Sequence, residues 1–106
     1  MKKDTFELNC PVAYTLETVG DPWSILIIRD ILLGNSRFKE FERSLKISKN
    51  MLTKRLTKLI DEGVLEKVPS KDGAWAIYSL TQKGRELTPI VMELAKWGSK
   101  WSSHTL

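Results

Sequence analysis

Apolar positions recur with a helical period along most of the chain, and glycines, prolines and small polar residues cut that pattern into short segments. "CPVAYTLETVG" predicts a short helix with Pro11 in its first turn and Gly20 at its end. "DPWSILIIRDILLG" predicts a central buried helix. Asp21 suits its N-cap, Pro22 its first turn and Gly34 its stop, and Trp23, Ile25, Leu26, Ile27, Ile28, Ile31 and Leu32 make it apolar almost all round. "SRFKEFERSL" follows, with Ser36 as expected cap and Phe38, Phe41 and Leu45 on one face. Only Lys46 and Ile47 separate it from Ser48, which caps a helix whose Leu52, Leu56, Leu59 and Ile60 form one apolar stripe. Gly63 ends that helix.

"VLEKVPS" and "AWAIYSL" lean towards β structure, and Asp72-Gly73 between them predicts a hairpin. "TQKGRELTPIVMELAKWGSKW" returns to the helical period through Leu87, Val91, Leu94, Trp97 and Trp101, with Pro89 expected to kink it or mark its early part as irregular. Two helices joined by a very short turn, the second followed by a hairpin, describe a winged helix-turn-helix. The expected fold is therefore α+β and mainly helical, with a β-hairpin wing and extra N- and C-terminal helices forming a dimer interface. At 106 residues it is a single domain, 1–106, too short for two cores.

Charge sharpens this picture. The chain has a net charge of +4, but Ser36–Lys58 holds eight basic and two acidic residues, so that segment is +6 and the remainder −2. Such a basic segment on a mildly acidic body fits a polyanionic partner. Within the Ser48 helix the basic residues come early (Lys49, Lys54, Arg55, Lys58) and Asp61 and Glu62 late. A helix tuned for stability alone would reverse that order to suit its dipole. Contact with phosphates at the helix start would offset the small loss.

Opposite the leucine stripe lie Asn50, Thr53, Lys54 and Thr57, with Arg55 and Lys58 on one flank. Asn and Thr can hydrogen-bond base edges, and Lys and Arg can reach guanine or phosphate. The expected contacts to double-stranded DNA are Arg37, Lys39, Ser48, Lys49, Asn50, Thr53, Lys54, Arg55, Thr57 and Lys58, with Lys71 at the tip of the wing. An ordinary solvated face would look similar; the short turn, inverted charges and adjacent hairpin favour DNA. The competing class is a winged helix that binds protein, as an antirepressor or assembly factor. It would expose aromatic or aliphatic anchors on that face. RNA binding would call for an exposed stacking platform.

The last helix follows a completed module and has little left to cover in its own subunit. Its stripe of Leu87, Val91, Leu94, Trp97 and Trp101 is expected to meet the first helix of a second copy, the one that begins at Pro11, making a homodimer. Burial against the chain's own core is the competing reading of the same periodicity.

One cysteine, Cys10, allows no intrachain disulfide. The N-terminal lysines lack the apolar run of a signal peptide. No stretch reaches membrane-spanning length, so no membrane partner and a reducing cytoplasm are expected. With one Cys, and one His (His104) in a polar tail, the chain carries no glycine-rich phosphate loop, metal-ligand spacing or nucleophile signature. It is read as no enzyme, with no cofactor and no metal.

Together "CPVAYTLETVGDPWSILIIRDILLG", "RFKEFERSLKISKNMLTKRLTKLIDEGVLEK" and "YSLTQKGRELTPIVMELAKWG" resemble the HxlR-type winged helix-turn-helix transcriptional regulators over about nine-tenths of the chain. The resemblance implies a homodimer on pseudo-palindromic operators, with Ser48–Glu62 as recognition helix. It also implies a role for the Cys10-Pro11 pair, since in several members that cysteine senses oxidants or electrophiles through disulfides between subunits. A helix N-terminus favours a thiolate, which suits Cys10; a small residue packed at a subunit contact is the alternative. A small-molecule or oxidant effector stays open. The chain departs from the family pattern at Lys46, where glycine often stands, in its short wing, and at Ile77, where an acidic residue frequently precedes the tyrosine.

Overall fold

In the computed structural model, which describes residues 9–73 and 75–103, the elements follow the predicted order. Helices α1 (Pro11–Val19), α2 (Ser24–Leu32), α3 (Phe38–Leu45) and α4 (Lys49–Asp61) precede strands β1 (Leu65–Pro69) and β2 (Ala76–Leu80). The short α5 (Gln82–Arg85) and the longer α6 (Thr88–Trp101) complete the chain. The readings of the first eight residues and of His104 lie outside the described residues.

The helix starts obey local hydrogen-bonding needs, with two shifts from expectation. Ser48 caps α4, its Oγ accepting from the Met51 amide at 3.2 Å. Asp21 acts one turn before α2: its Oδ2 accepts from the amides of Trp23 and Ser24, both at 3.0 Å. At α3 the expected cap, Ser36, is replaced by the Glu40 carboxylate, which reaches back to the amides of Ser36 (2.8 Å) and Arg37 (3.0 Å).

The core lies where α2, α3, α4 and the hairpin meet. Ile27, Ile28, Phe41, Leu52, Leu56, Leu59, Val64, Leu65, Tyr78 and Leu80 are buried. Phe41 and Tyr78 meet edge to face, with centroids 6.0 Å apart. Helix α2 is buried along one side rather than all round: Ser24, Ile27, Ile28 and Asp30 are interior, Trp23, Ile25 and Ile31 pack at the margin, and Leu32 is exposed. Its one interior carboxylate is held by hydrogen bonds, Asp30 Oδ1 accepting from Ser44 Oγ on α3 and from Arg29 Nη2, each at 3.1 Å.

The two strands pair antiparallel, from Leu65 opposite Leu80 to Pro69 opposite Ala76. Their connection is wider than a two-residue Asp-Gly turn. The Gly73 amide donates to Ser70 O and the Ser70 amide to Trp75 O, each at 3.0 Å, which puts Asp72-Gly73 inside a longer loop. The Tyr78 amide donates to Ser36 O at 2.8 Å and ties the wing to the entry of α3. After β2 the predicted final helix is broken in two, with Pro89 in the first turn of α6, where its missing N–H costs least. Gly84 lets α5 approach the α4–β1 turn: a Cβ there would sit 2.2 Å from Val64 O.

The helix-turn-helix corner itself is strained. Lys46, the C-cap of α3, has φ 53° and ψ 40°, a left-handed conformation that costs a non-glycine residue about 1–2 kcal/mol. Lys46→Gly is expected to stabilise the fold by about 1 kcal/mol, the relief outweighing the flexibility that glycine adds to the unfolded chain. Thermal unfolding should then rise by about 4–8 °C; an unchanged or lower midpoint would show that the corner is not strained.

Candidate nucleic-acid interface

Helix α4 presents two faces of opposite character. Leu52, Leu56 and Leu59 are fully buried, whereas Ser48, Lys49, Asn50, Thr53, Lys54 and Thr57 are exposed. Its start is open to solvent and carries no acidic residue in the first turn. The fold brings Lys39 and the half-buried Arg37 to the junction of α3 with the wing, and Lys71 is exposed in the wing loop.

Arg55 and Lys58 are placed differently from their sequence assignment. Both turn towards the α1–α2 corner. Lys58 Nζ donates to Glu17 O on α1 at 2.7 Å and lies 4.0 Å from Asp21 Oδ1. Arg55 Nε lies 3.8 Å from Asp21 Oδ2 and donates to Met51 Sδ at 3.4 Å. These contacts tie α4 to the first two helices while each side chain stays about a quarter exposed. Burial acts to raise the Asp21 carboxyl, but hydrogen bonds from the Ser24 hydroxyl and the Trp23 and Ser24 amides, with the Arg55 charge, carry it below its ordinary value.

A second strap runs through Lys83, which the sequence reading overlooked because a lysine in an exposed helix carries no local signal of its partners. Its Nζ donates to Tyr14 Oη (3.0 Å) and to Glu62 O (2.7 Å), joining α1 to the end of α4. The hydrogen bond from Lys83, then that with Thr18 and the Lys83 charge, hold the Tyr14 phenol below its usual range.

The stripe on α6 also divides. Val91 is 8% exposed and lies in this chain's own interior rather than in the subunit contact expected of it, and Leu87 is partly buried against the core. Leu94 (52%), Trp97 (70%) and Trp101 (69%) are exposed. On α1, Pro11, Val12 and Leu16 are exposed too. Cys10 is half-buried at the N-cap of α1, its Sγ accepting from the Ala13 amide at 3.4 Å.

No group of His, Cys, Asp and Glu among the described residues is suited to a metal ion, and no helix among them is long and apolar enough to cross a membrane. Two helices across a short turn, the second exposing a polar face and followed by a wing, make this a winged helix-turn-helix protein. Residues 18–106 match the family model described as HxlR-like helix-turn-helix, and the chain belongs to that family of transcriptional regulators. It is 36% identical over 100 residues to the HTH-type transcriptional regulator YdeP of Bacillus subtilis, covering 92% of this chain and 77% of that protein. Among solved structures, PA1607 superposes with a TM-score of 0.83 at 44% identity, over 87% of this chain; the chain spans only 65% of that longer one. The redox regulator HypR in its oxidised form superposes with a TM-score of 0.78 at 35% identity, over 88% of this chain and 98% of that one.

Replacing Asp21 should test the corner that holds α4. Asp21→Ala removes a cap and leaves two cations unpaired, and is expected to cost about 1–2 kcal/mol at pH 7. Because the folded carboxyl is lowered, its contribution is fully present above the unfolded aspartate value of about 4 and is lost as pH falls through the folded value. Urea unfolding of both proteins should thus show a gap that closes below about pH 4. A gap independent of pH would mean that the charge of Asp21 contributes nothing.

Proposed function

We propose that this chain is a single-domain regulator that binds double-stranded DNA as a homodimer, inserting α4 into the major groove of a pseudo-palindromic operator. The observation that carries this reading is the exposed face of Ser48, Lys49, Asn50, Thr53, Lys54 and Thr57 on a helix anchored by its opposite side. These are groups that pair with base edges and phosphates, not the apolar anchors a protein-binding version would expose. Arg37, Lys39 and Lys71 contact flanking phosphates, while Arg55 and Lys58 act by positioning the helix. No membrane takes part, and the cytoplasm is the working compartment.

The dimer forms through α6 and the partner's α1. Trp97 and Trp101 together expose a large aromatic area that is costly to leave in water. Cys10, at a helix N-terminus beside that contact, is the candidate oxidant sensor, a role supported by the similarity to HypR, described as a redox regulator.

Selection from a random duplex pool should yield an inverted repeat with half-sites about one helical turn apart. On that duplex, Lys49→Ala combined with Lys54→Ala removes two phosphate contacts per subunit and should lower the slope of log affinity against log salt by nearly four units for the dimer. The same titration after diamide treatment, with Cys10→Ser as control, reads the switch. An unchanged slope would remove α4 from the interface.

Trp97→Ala should move the protein towards monomer in sedimentation velocity while leaving its helix content intact. A dimer of unaltered affinity would exclude α6 as the contact.

A further inference from the structure

A cavity of about 360 Å³ lies between the wing and the start of α3, outside the α4 face and the α6 stripe. Its wall combines three aromatic rings, Phe38, Trp75 and Tyr78, with three cations, Arg37, Lys39 and Lys67. Among the described residues no carboxylate lines it. Trp75 is 69% exposed, and Lys67 stands over the Tyr78 ring with Nζ 5.8 Å from the centroid. Neither Arg37 nor Lys39 forms an ion pair with any described residue. An exposed indole next to unpaired positive charge fits a flat apolar body bearing a negative group.

We propose that this cavity binds a small planar aromatic anion such as an aromatic carboxylate. The ring stacks between Trp75 and Phe38, and the carboxylate accepts hydrogen bonds from Lys67 with Arg37 and Lys39 nearby. The volume sits at the low end of the roughly 300–1,000 Å³ usual for ligand pockets, which selects one or two fused rings. A neighbouring cavity of about 290 Å³ shares Phe38, Lys67 and Tyr78 and reaches Thr53 and Thr57 on α4. A bound anion therefore lies beside the face assigned to DNA and neutralises Arg37 and Lys39, which would meet phosphate. Ligand and DNA compete, a consequence that rests on the DNA-binding reading; the site itself does not.

The test uses the full chain, reduced and without DNA, titrated with 2-naphthoate and, as uncharged control, 2-naphthamide. Indole N–H resonances of the four tryptophans, assigned by Trp→Phe variants, report where binding occurs. The Trp75 resonance should shift saturably with one naphthoate per chain. The amide should bind about tenfold more weakly, Lys67→Gln should weaken naphthoate about fivefold, and Trp75→Ala about tenfold. Trp75 projects from the surface, so its removal leaves the core untouched, and Trp75→Phe should restore most of the affinity. Equal binding of acid and amide, or shifts confined to Trp97 and Trp101, would overturn the proposal. So would a Trp75 resonance that responds to duplex DNA alone. Naphthoate bound at Trp75 with duplex affinity unchanged would uphold the site and overturn the assignment of Arg37 and Lys39 to phosphate contact.

Discussion

The burial of Leu52, Leu56 and Leu59 beneath α4 is the contact on which the other features depend. Each leucine contributes on the order of 1.5–3 kcal/mol relative to exposure. Because all three lie on one side of a helix, their burial fixes its rotation, which leaves Asn50, Thr53, Lys54 and Thr57 facing outward. Loosening that packing would lose the orientation of the polar face before it lost the helix. The Asp21 corner and the Lys83 strap then set where the middle and the C-terminal end of α4 lie against α1 and the α1–α2 corner.

The element order was readable because each boundary has a local cause. Ser48, Gly63, Pro89 and the Ser48-helix leucines act within a turn of themselves, so short-range rules suffice. The misplacements arose where a partner distant in sequence decides. Arg55 and Lys58 sit on the helical wheel beside the polar face, and only the fold reveals Asp21 and the Glu17 carbonyl within their reach. Val91 fits the stripe that continues to Trp97, yet the α6 start packs against the core and its end departs from it. Ser36 looked like a cap, but Glu40 four residues on took the task. The cavity at Trp75 has no local signature because it is assembled from the α3 entry, both strands and the wing loop, which the Tyr78–Ser36 hydrogen bond holds together.

That hydrogen bond makes the wing part of the helix-turn-helix rather than an appendage. The entry of α3, strand β2 and, through the register, Lys67 on β1 share one backbone framework.

The engagement of Arg55 and Lys58 with Asp21 also changes what the molecule presents at a distance. Three formal charges at that corner sum to a single positive one, seated on the flank of α4 rather than in front of it. A tally of basic residues in the segment therefore overstates the field that an approaching polyanion meets. Arg37, Lys39, Arg43, Lys46, Lys49 and Lys54 form no ion pair with a described residue, so the positive field of the segment originates with them rather than with Arg55 and Lys58.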